Sequence, residues 1–250
     1  MTRILLLGGT AEAKALADRL ASDGVDTLTS LAGRVSAQYE GKVRIGGFGG
    51  VAGLVRAIRE GAFTLVVDAT HPFAARISPN AVSASERAGV PYLRLERPAW
   101  MPVAGDDWRS VSDLEEAAAE LPSGARAFLA VGAGGVEPFL RRTDVSLTIR
   151  AIKTPDTGAH PGTHVVSARG PFQAADERIL WDRYEIDWLV TKNAGGSATL
   201  PKLMVARERG VPVIMVDRPR GQPKPDATTV DEAMAIIAHH RSATAFGRKI

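Results

Sequence analysis

The segment Val66-Val67-Asp68-Ala69-Thr70-His71-Pro72 sets a carboxylate, a hydroxyl and an imidazole at the end of a strongly β-forming run. A carboxyl or an imidazole held at a strand end can be tuned to donate a proton near neutral pH, so Asp68 and His71 are the candidate proton sources. Structural roles compete with that chemistry. Asp68 can instead accept backbone hydrogen bonds in its turn, and His71-Pro72 is also an acceptable way to start a helix.

A second constellation, Gly8-Gly9-Thr10-Ala11-Glu12-Ala13, follows the apolar run Arg3 to Leu7. It overlays the dinucleotide fingerprint G-x-G-x-x-G/A, with Thr10 in place of the second glycine and Ala13 small enough for close helix packing. Such a turn binds phosphate through backbone N–H groups at a helix start, and Thr10 can add its hydroxyl. An NAD enzyme usually carries Asp or Glu at the end of the next strand. Here Thr29-Ser30-Leu31-Ala32-Gly33-Arg34 contains no acid, and it ends in an arginine that either suits a 2′-phosphate or is an ordinary loop charge. NADPH is therefore the expected cofactor. Its expected contacts are Gly8, Gly9, Thr10, Glu12, Arg34 and Thr70, with Gly46 and Gly47 of a further glycine turn either at its border or simply a helix entry.

The third constellation is Thr191-Lys192-Asn193, followed by Gly195-Gly196-Ser197. Lys192 is the basic residue best placed at a strand end to meet an anion. Ser197 and Thr199 either bind an anion at a helix N-terminus or simply cap it. Arg97 and Arg169, and similarly Arg218, are either further carboxylate-binding groups or ordinary surface ion pairs. His160 and His164 are four apart, but Pro161 and Gly162 stand between them, so they do not form a helical ligand pair and no metal site is expected.

Strand-length apolar runs alternate with helical periods, as a βαβ series requires. In the first part of the chain, strands are expected at Arg3–Leu7, Asp26–Leu31, Val43–Ile45, Thr64–Asp68 and Tyr92–Leu95, with helices between them. Pro98 to Asp107 has no periodicity and reads as a linker. A second alternation follows, with strands at Ala127–Val131, Val145–Ile152, His164–Val166, Trp188–Thr191 and Val213–Val216 and a last helix from Asp231. The expected fold is α/β: two Rossmann-like, doubly wound parallel-sheet lobes, 1–98 for the cofactor and 99–250 for the substrate, with the active site in the cleft between them.

Composition narrows the class. The 250 residues include no cysteine, which excludes disulfides, thiolate metal sites and cysteine nucleophiles. No stretch approaches the roughly 18 apolar residues of a membrane span, and the N-terminal apolar run is too short for a signal peptide, so a cytoplasmic protein is expected. A net charge of +3 with only 6% aromatic residues and no basic–aromatic cluster argues against nucleic acid as a partner. No segment reads as an oligomerisation helix, which points to a monomer.

Read together, ILLLGGTAEAKALA, VVDATHPFAARIS, PYLRLERP, ARGPF, VTKNAGGSATLPKL and VPVIMVDRP resemble the precorrin-6A reductase family of cobalamin (vitamin B12) biosynthesis, from Ile4 to Pro219. The chain departs from that pattern at Ala194 and at Lys202-Leu203-Met204. The resemblance implies NADPH-dependent reduction of a double bond in a corrin-forming macrocycle. It also implies a flat, polycarboxylate tetrapyrrole as substrate, held by Lys192, Asn193, Gly195, Gly196, Ser197, Arg97 and Arg169. A short-chain dehydrogenase is excluded, because Tyr39, Tyr92 and Tyr184 are followed four positions later by Val43, Glu96 and Trp188 rather than lysine. The alternative from another class is a non-catalytic NADP-binding sensor.

Overall fold

The computed structural model describes residues 2–33, 39–158 and 160–246, with side chains to residue 242. Its chain divides into two units, Met1–Pro98 with Pro219–Ile250, and Ala99–Arg218.

The first unit contains β1 (Arg3–Leu7), α1 (Ala11–Ser22), β2 (Asp26–Leu31), β3 (Lys42–Ile45), α2 (Val51–Glu60), β4 (Leu65–Asp68), α3 (Ile77–Ala88) and β5 (Tyr92–Arg94). Its strands form one parallel sheet in the order β3-β2-β1-β4-β5. The run Ile4-Leu5-Leu6-Leu7 is buried throughout because both faces of a parallel sheet are covered. Ile4 and Leu6 pack in one cluster with Ala13, Leu16, Ala17 and Leu20, the i, i+3, i+4, i+7 stripe of α1. Leu5 and Leu7 pack in the opposite cluster, with Leu54 and Ile58 of α2 and Ala81 and Ala84 of α3.

The second unit contains β6 (Trp108–Val111), α4 (Leu114–Ala119), β7 (Arg126–Ala130), a 3-10 turn at Ala133–Gly135, α5 (Glu137–Leu140), β8 (Ser146–Ala151), β9 (Thr163–Ser167), α6 (Ala174–Arg183), β10 (Trp188–Lys192), α7 (Pro201–Arg209) and β11 (Val213–Val216). Its parallel sheet runs β6-β11-β10-β7-β8-β9. Phe128, Trp181, Leu189, Leu203 and Met215 form the core under α6 and α7. Two parallel-sheet α/β units are thus present, as the alternation of elements implies.

Three features differ from the sequence expectations. β6 directly follows the expected linker, where no strand was expected, since an edge strand reading Trp-Arg-Ser-Val, with two exposed residues, has almost no apolar signature. The linker itself is anchored: Asp106 accepts from Arg207 Nε at 2.8 Å and from Val103 N–H at 2.8 Å. The segment from Pro219 belongs to the first unit, not to a lobe spanning 99–250. Asp226 accepts from the Arg94 N–H at 2.8 Å, and the Asp226 and Ala227 N–H groups donate back to the Arg94 carbonyl at 2.9 and 3.1 Å. This closes the free edge of β5. The following helix, α8 (Val230–Phe246), buries Ala233 and Ile237 in the α1 cluster, so it covers apolar surface that α1 alone leaves open.

Candidate active site

In an open parallel sheet, ligands gather outside the carboxyl ends of neighbouring strands whose connections leave in opposite directions. In the first unit those strands are β1 and β4. The turn after β1 contains Gly8 and Gly9. A Cβ on Gly8 would lie 3.2 Å from Leu31, 3.3 Å from Thr29 and 3.4 Å from Ala13, so this glycine lets α1 close onto the sheet. Gly9 has φ +126°, and a Cβ there would meet nothing within 4 Å: the backbone conformation requires glycine, and the space beside it is open. Thr10 is the N-cap of α1. Its hydroxyl accepts from the Ala13 N–H at 3.0 Å and donates to the Ala69 carbonyl at 2.9 Å, tying the β1 turn to the β4 turn. The expected offer of that hydroxyl to a phosphate is therefore corrected; the hydroxyl builds the turn, and the helix-start amides remain as the candidate groups for an anion.

Glu12, in the first turn of α1, pairs with Arg97 at 2.6 Å. The ion pair compensates the Glu12 carboxylate at the start of α1 and occupies the Arg97 guanidinium, which was expected to meet substrate, at least in part. Gly46 and Gly47 lie in the turn from β3 to α2, where Gly46 N–H donates to the Leu31 carbonyl at 2.8 Å. Arg34 lies outside the described residues. These residues fit a dinucleotide: an open glycine turn, a capped helix start, a neutralised Glu12 and a second strand ending in Thr29-Ser30-Leu31 without an acid.

The turn after β4 is built around Asp68. Its carboxylate is fully buried and accepts four hydrogen bonds, from Thr70 N–H (3.0 Å), Thr70 Oγ1 (2.7 Å), Tyr92 Oη (2.8 Å) and Arg94 (2.6 Å). Arg94, also fully buried, further donates to Ser78 Oγ at 2.6 Å and pairs with Glu96. Burial opposes the charge on Arg94, but the Asp68 and Glu96 carboxylates outweigh it and raise its pKa. Burial, and then the Asp68 charge, push the Tyr92 phenol well above its ordinary range. A carboxylate that accepts four hydrogen bonds and is closed to solvent is committed to holding its turn together. Asp68 is accordingly corrected from proton source to anchor. Thr70 directs both its N–H and its hydroxyl to Asp68, so its side chain too is engaged in the turn rather than offered to a cofactor. His71 is only half-buried, and its Nδ1 accepts the Phe73 N–H at 3.2 Å, which puts the ring proton on Nε2.

In the second unit, the neighbouring strands with opposed connections are β7 and β10. β10 ends at Lys192, which is half-buried, and burial lowers its pKa. Asn193 was expected to touch substrate; its amide instead takes the Trp100 N–H on Oδ1 at 2.8 Å and gives Nδ2–H to the Trp100 carbonyl at 3.1 Å. Trp100 Nε1 donates to the Gly196 carbonyl at 2.9 Å, and Lys202 lies 4.5 Å from the Trp100 ring while donating to the Thr199 carbonyl at 2.7 Å. Arg218 donates to the Asn193 carbonyl at 3.0 Å. The Gly195-Gly196-Ser197 turn is thereby held in shape, with Ser197 exposed. Arg169, between β9 and α6, is exposed. His160 bridges the Arg142 carbonyl (3.0 Å) and Thr163 Oγ1 (2.7 Å), a structural tie. No group of three or more His, Asp or Glu side chains suited to a metal occurs among the described residues, and no described helix is long and apolar enough to cross a membrane.

Tyr92, Arg94 and Trp100 carry much of this architecture but had no role assigned from sequence. The first two were visible only as part of the run YLRLERP. A tryptophan inside an aperiodic stretch was the available signal for the third.

Residues 3–238 match the family model described as precorrin-6x reductase CbiJ/CobK. The chain is 49% identical over 243 residues to a precorrin-6A reductase of Rhodococcus erythropolis, covering 95% of this chain and 97% of that one. It is 30% identical over 257 residues to a cobalt-precorrin-6A reductase of Priestia megaterium, covering 96% and 100%. A solved structure titled CobK precorrin-6A reductase superposes with a TM-score of 0.90 at 42% identity, covering 96% of this chain and 97% of that one. With the fold and nearly the whole length in agreement, the chain belongs to the precorrin-6x reductase family.

Proposed function

We propose that this protein reduces a carbon–carbon double bond of precorrin-6A to the dihydro product in cobalamin biosynthesis, with NADPH as reductant. The observation that carries this reading is the open Gly8-Gly9 turn at the start of α1, in a chain whose relatives at 41 to 49% identity are named for precorrin-6A. Relatives at 27 to 30% are named for the cobalt-containing compound, which favours the metal-free ring as substrate here.

NADPH, when bound, supplies the hydride. The chain's own contribution is positioning and proton supply. The amides that open α1 hold the pyrophosphate, and Arg97 cancels the Glu12 charge beside it. Lys192 and the Gly195-Gly196-Ser197 turn bind substrate carboxylates. His71 holds a proton at Nε2 and delivers it to the ring carbon next to the reduced one, directly or through a water.

NADPH oxidation by the purified protein that depends on precorrin-6A tests the assignment; tight dinucleotide binding with no turnover on that compound would leave a sensor instead. His71→Asn tests the proton route, since an asparagine oxygen can still accept the Phe73 N–H while the Nε2 proton is lost. Its kcat is expected to drop roughly 10²- to 10⁴-fold with NADPH affinity unchanged. A kcat within threefold of wild type moves the proton source elsewhere.

A further inference from the structure

The carboxyl end of β2 is where a dinucleotide sheet distinguishes a ribose hydroxyl from a ribose phosphate. In this chain the neighbouring strand reaches across that position. Ser30 on β2 is in register with Arg44 on β3, and Arg44 donates from one terminal nitrogen to Ser30 Oγ at 2.8 Å and to the Gly46 carbonyl at 3.1 Å, and from the other to the Gly47 carbonyl at 3.1 Å. Its guanidinium lies 3.9 Å from the centre of the Phe48 ring. Phe48 is clamped in turn: a Cβ on Gly53 of α2 would fall 1.7 Å from the Phe48 carbonyl oxygen, so backbone meets backbone there.

We propose that Arg44, stacked on Phe48 and bonded to Ser30, is the residue that selects the adenosine 2′-phosphate. The proposal rests on the NADPH reading above and adds a specificity-determining residue to it. Three of the five guanidinium N–H groups make the bonds just given, which fix the plane of the guanidinium. The remaining two, one on the terminal nitrogen that meets Gly47 and one on Nε, form a fork that matches two phosphate oxygens. A ribose bearing only its hydroxyl gains little from a cation in this position, and no carboxylate is present at the end of β2 to reward it. The Phe48 ring and the guanidinium plane also offer stacking surface for an adenine base.

Equilibrium binding of NADPH, NADH, 2′,5′-ADP and 5′-ADP to the full-length wild type, Arg44→Gln, Arg44→Lys and Arg34→Gln proteins tests this, with circular dichroism checking that each variant is folded. Arg44→Gln is expected to weaken NADPH and 2′,5′-ADP by about 10- to 100-fold and to change NADH and 5′-ADP by less than about threefold, with Arg44→Lys in between. Equal losses for phosphorylated and unphosphorylated ligands would make Arg44 a mere brace of its turn and overturn the proposal. So would a selectivity that collapses in Arg34→Gln alone. A wild-type protein that prefers NADH, or binds neither nucleotide, removes the NADPH reading itself and this proposal with it.

Discussion

The carboxyl ends of β4 and β10 occupy comparable places in their own sheets, and both are followed by polar residues with the look of chemistry. Both use their richest hydrogen-bonding group internally. After β4, Asp68 closes a fully buried ionic lock with Arg94, Tyr92 and Thr70. After β10, Asn193 closes a neutral, half-buried lock on the Trp100 backbone. The residue proposed for chemistry is in each case a neighbour, His71 or Lys192. The difference lies in what happens when each lock is broken. An ionic lock leaves behind a buried charge, whereas a neutral one leaves amide groups that water can reach.

The largest effect is therefore expected at Asp68. Asp68→Asn strands the Arg94 guanidinium beside a neutral amide, and removing one partner of a buried pair costs about 3–5 kcal/mol. Urea unfolding followed by circular dichroism measures it. A loss under about 1 kcal/mol would mean that Glu96 and Ser78 satisfy Arg94 without Asp68, and the contrast between the two locks would disappear.

At Lys192 the expected effect is on binding and on its pH dependence. Burial lowers the native pKa below that of the unfolded chain, so the native protein loses this proton first as pH rises. Affinity for substrate carboxylates should be full below the native pKa and decline as pH passes through it, earlier than for an exposed lysine. Stability runs the other way in that window: the unfolded chain binds the extra proton, so stability increases with pH between the two values. Lys192→Met should raise KM about tenfold or more near neutral pH, where a charge-assisted hydrogen bond is lost, and should flatten both pH slopes. Lys192→Arg should restore KM and carry the binding limb to higher pH. A KM that rises in Lys192→Met with its alkaline limb intact would assign that limb to another group.

Much of the fold was legible because buried parallel strands announce themselves as apolar runs, as β1 and β11 do, and β1, β2 and β11 begin and end where they were expected. β6 was not, since its pairing with β11 supplies the order that its residues do not advertise. The place of α8 was hidden for a related reason, because an apolar helical stripe does not say which sheet it covers. Around the site, residue types were easier to read than roles. Asp68 pairs in register with Arg94 on β5, and Tyr92 lies two positions before Arg94 on the same face of the strand. Only knowledge that β4 and β5 are neighbours turns three separated residues into one network. The same holds for Arg44, which acquires meaning through its register with Ser30.

The smallest effect tests the neutral lock. Asn193→Ala removes two hydrogen bonds to the Trp100 backbone, in a half-buried position where water can replace part of what is lost, so the expected cost is about 1–2 kcal/mol. Arg218 still holds the Asn193 carbonyl and Lys202 still holds that of Thr199, and these contacts keep the turn near its native shape. KM should therefore rise less than in Lys192→Met. Asn193→Asp is the sharper variant: it keeps an acceptor for the Trp100 N–H but sets a carboxylate oxygen against the Trp100 carbonyl. It should be less stable than Asn193→Ala despite the closer shape, because repulsion between two acceptors is added to the lost bond. If the two variants are equally stable, the Nδ2–H bond at 3.1 Å contributes little and the lock reduces to the single bond at 2.8 Å.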